Sequence, residues 1–179
     1  MIKAYLEKHP YMVNSPKDTI KRLARYYALE LRASQIWNGR KALYIAGIDG
    51  MVKIGLGEQP LKRLSKIGFN FMNPSHKIAL FAMPDNVYPF RCEQLAHYYA
   101  KQATKRQGIE PEYYQFTDQE YLDNLGFIPT SGQSEFFAVT FKQAVGCASM
   151  ARNNLESGKR EFKTMSSIYS FYNQTTEAA

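Results

Sequence analysis

The spacing of apolar positions along this chain changes period several times, and each change marks a new element. Between residues 15 and 37, Ile20, Leu23, Ala24, Tyr27 and Leu31 recur at helical spacing and predict one amphipathic helix with a single apolar stripe. Ser15-Pro16-Lys17-Asp18 reads as its N-cap, a proline in the first turn and a carboxylate at the positive helix end, and Asn38-Gly39 reads as its stop. Two apolar strands follow, residues 42–48 (ALYIAGI) and 51–56 (MVKIGL), around an Asp49-Gly50 pair. That pair signals a two-residue hairpin of type I′, which needs positive φ at both central positions. The turn sets the register: Ile48 opposite Met51, Ala46 opposite Lys53, Tyr44 opposite Gly55, Leu43 opposite Leu56. Side chains alternate between faces. Leu43, Ile45, Val52, Ile54 and Leu56 therefore share an apolar face, and Ala42, Tyr44, Ala46, Lys53 and Gly55 share the other. The second face is kept small, as a surface approached by a substrate backbone would be.

Further along, residues 60–67 predict a short helix with Leu61, Leu64 and Ile67 inward, and residues 77–83 (KIALFAM) a third strand ending at Pro84. A helix over 88–106 offers Phe90, Leu95, Ala96 and Tyr99 to the core. A fourth strand over 136–141 precedes a helix over 142–156 with the stripe Ala144, Val145, Ala148, Ala151 and Leu155. The tail after Gly158 is polar, with Tyr169, Phe171 and Tyr172 interspersed. Helices around a small mixed or antiparallel sheet that includes the hairpin give an α+β domain. At 179 residues the chain is long enough for one proper core. It divides into a helical arm (1–41), a core (42–141) and a C-terminal helix with its tail (142–179).

Charge is segregated along this order. Residues 1–41 hold nine basic and three acidic side chains, residues 42–110 hold nine and five, and residues 111–141 hold no basic and five acidic ones. The net charge of +7 and the pI near 9.3 favour a polyanionic partner. The acidic, tyrosine-rich stretch within 108–134 reads as a surface excursion, either a solvated loop or a wall that screens the cleft. Lys17, Lys21, Arg22, Arg25 and Arg32 cover much of the first helix, which either packs with a solvated basic face or tracks phosphates with Lys21, Arg22 and Arg25. Cys92 and Cys147 form no CxxC pair, so neither a disulfide framework nor a cysteine zinc site is implied. With no apolar run of about 18 residues and no signal-peptide core, a cytoplasmic protein without a membrane partner is expected.

Five short motifs carry a resemblance. Leu43-Tyr44-Ile45 and Lys53-Ile54-Gly55 lie on the paired strands, and Arg63 follows on the short helix (PLKRL). Glu93 precedes His97 by four residues (CEQLAHYYA), and residues 132–137 read GQSEFF. In this order and spacing, over roughly 42–140, the chain resembles the GIY-YIG nuclease superfamily. It is closest to the branch with lysine in the second motif, frequent in phages and mobile elements and in the meiotically up-regulated gene 113 type. The resemblance implies a Mg²⁺-dependent DNA endonuclease (Mn²⁺ as a substitute) acting on double-stranded DNA and leaving 5′-phosphate and 3′-hydroxyl ends.

On that reading Glu93 is the metal ligand. A single carboxylate suits Mg²⁺, which keeps several waters and also binds substrate phosphate oxygens. Tyr44 is the general base, with Lys53 and the metal lowering its pKa from about 10. Arg63 clamps the scissile phosphate as a fixed bidentate cation. His97, one turn from Glu93, orients it, contacts phosphate or simply packs. Gly55, Lys62 and Lys66 join the substrate-binding surface. Glu135 is read as structural, because Gln133 and Ser134 depart from the compact gly-glu-aromatic pattern, and Phe136 stands where that motif usually has tryptophan. The competing reading is a nucleic-acid-binding module that keeps this fold without turnover. Monomer and homodimer both remain open.

Overall fold

The computed structural model describes residues 1–36, 41–108 and 115–157. The helix stop at Asn38-Gly39, residues 109–114 of the acidic stretch and the tail after Gly158 lie outside the described residues. The hairpin forms as β1 (Ala42–Ile48) and β2 (Met51–Gly57), antiparallel, with Ile48 opposite Met51, Tyr44 opposite Gly55 and Leu43 opposite Leu56. Its turn is not type I′. Only Gly50 lies at positive φ (+91°), and Asp49 does not. Negative then positive φ is the type II pattern. Tertiary contacts select it: Asp49 accepts the Phe141 N–H at 2.8 Å and pairs with Lys77, while the Gly50 N–H donates to the Val139 carbonyl at 3.0 Å.

β3 (Lys77–Phe81) and β4 (Phe136–Phe137) complete a four-stranded antiparallel sheet in the order β3-β1-β2-β4. β4 is two residues long rather than the six expected. The Val139 N–H turns back onto the Phe137 carbonyl, and Thr140 with Gln143 forms a capping box that starts the last helix at Phe141.

Both faces of the hairpin are buried, which corrects the expectation of one open face. Against Leu43, Ile45, Val52, Ile54 and Leu56 pack α4 (Pro89–Lys105) and α6 (Phe141–Glu156), with Leu95, Ala96, Ala144 and Ala148 inward. Against Ala42, Tyr44 and Ala46 pack α3 (Pro60–Ile67), with Leu61, Leu64 and Ile67 inward, and α5 (Asp118–Leu125). The acidic stretch is therefore no mere surface loop. A Thr117–Glu120 capping box opens α5, its acids sit at the positive end of the helix, and Tyr121 and Leu125 are buried under the sheet.

The arm comprises α1 (Ile2–Lys8) and α2 (Lys17–Ile36), which share a small core of Tyr5, Ile20 and Ala24. Leu31 leaves the expected stripe and is exposed, because the helix turns its later contacts, Leu29, Ala33 and Ile36, toward the sheet layer. Ser15 does not cap α2; its hydroxyl donates to the Met12 sulfur at 3.6 Å. Among the described residues no helix is long and apolar enough to cross a membrane.

Candidate active site

Five of the chemistry-bearing side chains converge where β2 meets α3 and α4. Tyr44 comes from β1, Lys53 from β2, Arg63 from α3, Glu93 from α4, and Glu135 from the short turn before β4. Each acts electrostatically on others of the group: Arg63, Glu135 and Glu93 on Tyr44, and Glu135, Arg63 and Lys53 on Glu93. The hairpin register, a proline-started helix and a helix crossing the sheet bring together residues up to 91 positions apart in sequence.

Tyr44 is completely buried. Its ring lies across Gly55, where an added Cβ would stand 2.6 Å from the Tyr44 hydroxyl oxygen and 2.7 Å from Cζ. The space left by glycine is thus filled by the phenol, and the expected substrate-binding role of Gly55 is corrected to one of packing. Burial pushes the Tyr44 pKa up to about 12, against the pull of the Arg63 guanidinium. The hydroxyl faces Arg63 but makes no well-formed hydrogen bond and is left without a protein partner. The expectation that Lys53 tunes Tyr44 downward does not hold. The cation acting on the phenol is Arg63, and desolvation outweighs it.

Lys53 is fully buried and committed elsewhere. It donates to the Gly132 carbonyl at 2.8 Å, pairs with the Glu135 carboxylate and lies 5.2 Å from the centroid of the Phe136 ring. Burial holds its pKa below the usual lysine value, opposed by Glu135. Gly132 sits at φ +67°, in the left-handed region, which lets the backbone present that carbonyl. Glu135, read from sequence as structural, is therefore an electrostatic member of the site. Its pairing with a strand lysine could not be seen from a motif whose spacing is irregular.

Glu93 and His97 meet an unfinished sheet edge. Pairing alternates along β2, so the Ile54 carbonyl and the Leu56 N–H point toward the β4 side, where β4 begins only at Phe136, opposite Lys53. The Glu93 carboxylate accepts from the Leu56 N–H, and His97 Nε2 donates to the Ile54 carbonyl at 3.0 Å. Two residues along a strand and one turn along a helix are similar rises, roughly 6 Å, so the i, i+4 pair fits the i, i+2 backbone groups. Donating from Nε2 in an apolar setting against Phe137, His97 is pushed by burial down to about 4 and stays neutral. This favours the packing reading of His97 over phosphate contact. Glu93 is 8% exposed. Burial and then the Glu135 charge push its pKa up to about 7, against the Leu56 amide, Arg63 and Lys53.

Beside this cluster a groove of about 480 Å³ is lined by Lys41, Lys62, Arg63 and Lys66 with a single acid, Glu58. Leu56 and Gly57 form its floor, so it opens directly next to the backbone that holds Glu93. Lys41 is a groove residue that no motif announced. Of the arm cations, Lys21 and Arg22 are exposed, and Lys21 lies 3.5 Å from Asp18. Arg25 is not available as a phosphate contact. It donates to the carbonyls of Asn73 (3.4 Å), Pro74 (3.2 Å) and His76, tying α2 to the loop before β3.

A divalent cation can be weighed against these side chains. Among the described residues no group of three or more His, Cys, Asp or Glu is placed to hold one. Glu93, a buried carboxyl whose charge is disfavoured by desolvation and by Glu135, would gain from a cation nearby. This donor set fits Mg²⁺ that keeps waters and shares phosphate oxygens, not a permanently caged metal.

No family model, curated protein or solved structure matches this chain. The resemblance to GIY-YIG nucleases therefore rests on the order and spacing of the sequence motifs alone.

Proposed function

We propose that the chain is a DNA endonuclease that hydrolyses phosphodiester bonds with Mg²⁺, leaving 5′-phosphate and 3′-hydroxyl ends. The observation that carries this reading is Glu93, a buried carboxyl with a pKa raised to about 7, placed beside a groove lined by four cations. Such perturbed carboxyls in a cleft mark sites where a charge partner is missing.

Glu93 would hold the cation, which when bound supplies charge neutralisation at the phosphate. The chain's own residues do the rest. Lys41, Lys62 and Lys66 draw the DNA backbone into the groove. Arg63, exposed at the groove wall, grips the scissile phosphate through its guanidinium fork. Tyr44 is sealed and keeps its proton at neutral pH, so it is not a resting phenolate; its hydroxyl faces Arg63 and would position that guanidinium, not touch the DNA itself. The Lys53–Glu135 pair holds the turn before β4 and fixes the local field.

A second reading also has an observation behind it. Glu93 and His97 already complete the edge of β2, and Tyr44 is sealed, as in a fold that binds nucleic acid without cutting it. Incubating supercoiled plasmid with the protein and Mg²⁺ or Mn²⁺ separates the two. Nicking by wild type that Glu93→Ala and Arg63→Ala both abolish supports the enzyme. Gel retardation without any cut substrate supports the binding module, and nicking that survives both changes removes the proposed site.

A further inference from the structure

A second cleft adjoins the basic groove along α3. It measures about 950 Å³ and is bounded by α2, α3 and the segment after α3. Its walls combine Tyr26 of α2 with Phe69 and Phe71, and its mouth carries Lys62 and Lys66. Tyr26 and Phe71 are stacked, with ring centroids 5.7 Å apart and planes 25° apart, and both are half-buried rather than sealed in the core. At its rim stands one exposed carboxylate, Glu30, hydrogen-bonded by the Tyr26 hydroxyl. The two cations at the mouth also line the groove next to the Glu93 cluster. Groove and cleft are therefore two compartments joined across Lys62 and Lys66.

The chemistry of the two compartments differs in a way that selects a ligand. The groove offers cations suited to phosphates. The cleft offers aromatic faces and one carboxylate acceptor, which suits a flat heterocycle with exocyclic amines. A fully paired duplex has phosphates for the first and no free base for the second. We propose that this cleft receives an unpaired nucleobase of the DNA, stacked on the Tyr26–Phe71 pair, while the adjoining phosphates lie on Lys62 and Lys66. The inference rests on the DNA reading above and specifies its substrate: DNA with an unpaired nucleotide beside the duplex, such as an overhang, flap or mismatch. Stacking on an aromatic platform is sequence-tolerant, so structure and not sequence would be recognised.

The test uses the full chain and a duplex with a three-nucleotide overhang, prepared either with its bases or with abasic residues of the same backbone. Wild type is expected to bind the overhang with bases about tenfold tighter or more, the scale of stacking one base on an aromatic side chain. A fluorescent adenine analogue in the overhang is expected to change emission on binding, and the same analogue inside the duplex is not. The variant Tyr26→Ala/Phe71→Ala should bind both overhangs alike, at the abasic level, with duplex affinity unchanged. The wild-type comparison stands whether or not the variant folds. Equal affinity of wild type for the two overhangs overturns the inference while leaving the DNA reading intact. Failure to bind any of these DNAs at low salt overturns both.

Discussion

Tyr44 and Gly55, opposite each other on the central hairpin, are packed so closely that glycine is the only residue the phenol tolerates there. Gly55→Ala puts a methyl 2.6 Å from the Tyr44 oxygen. The ring cannot swing away without disturbing the α3 and α5 layer, so the expected cost is about 1–3 kcal/mol, as for other overpacked cores. Urea unfolding checks this. Tyr44→Phe in the same background should recover part of the loss, since it removes the nearer of the two clashing atoms.

Tyr44→Phe alone separates stability from function. The hydroxyl is buried without a partner. Its removal is expected to raise stability by about 1 kcal/mol, because an unsatisfied buried polar group carries a desolvation penalty. The same change should lower DNA nicking. Reduced stability together with unchanged nicking would mean that the hydroxyl has a structural partner and no role in cleavage.

Glu93 and His97 impose opposite pH dependences. The folded-state pKa of Glu93 is raised from 4.5 to about 7, so between those values the folded protein binds the proton that the unfolded chain has lost. Its contribution therefore weakens as pH rises through that window. Glu93→Gln should be close to neutral at pH 4 and stabilising above pH 7, by about 3 kcal/mol from the size of the shift. The His97 pKa is lowered from 6.5 to about 4, so the unfolded chain takes up the proton first, and stability falls as pH drops from 6.5 toward 4. Chemical denaturation of wild type and Glu93→Gln across pH 4–8 reads both effects. Mg²⁺ or Mn²⁺ should raise the melting temperature of wild type at pH 8 and leave Glu93→Gln unmoved.

The Lys53–Glu135 pair should matter more to the fold than a surface ion pair does. Glu135→Ala strands a fully buried ammonium with one carbonyl partner. The expected loss is about 2–3 kcal/mol, below the usual cost of breaking a buried pair because the Glu135 side chain keeps 28% of its exposure. Lys53→Met, which removes the charge itself and keeps contact with Phe136, should cost less. The reverse order would contradict the pairing.

The arm cations should divide by role. Arg25→Ala removes donors from three carbonyls and is expected to lower the melting temperature. Arg22→Ala should leave stability unchanged. Lys62→Ala and Lys66→Ala should each reduce the salt slope of DNA binding by about 1.

The hairpin register and the α3 stripe were legible from residue order, because each depends on local periodicity or a fixed turn; that Tyr44, Arg63 and Glu93 share one cluster was expected only from the resemblance of the motifs. What was not legible depends on distant partners. The turn type was set by Asp49 reaching Phe141 and Lys77. The length of β4 was set by the Thr140 cap, which local pattern placed inside a strand. The open face of the hairpin was an error of the same kind. Small residues read as room for a substrate, whereas α3 and the unannounced α5 cover them and the Tyr44 ring fills the space. The engagement of Lys53 by Glu135 likewise needed the fold to bring together residues 82 positions apart.

The most direct test of the central claim is Mg²⁺-dependent cleavage of an end-labelled duplex by wild type and by Glu93→Gln, each shown to be folded and to bind the DNA. Cleavage by wild type to 5′-phosphate ends, with loss of at least about a hundredfold in Glu93→Gln at unchanged affinity, is the predicted result. Equal cleavage by the two proteins, or DNA bound by wild type and left intact under every metal condition, would contradict it.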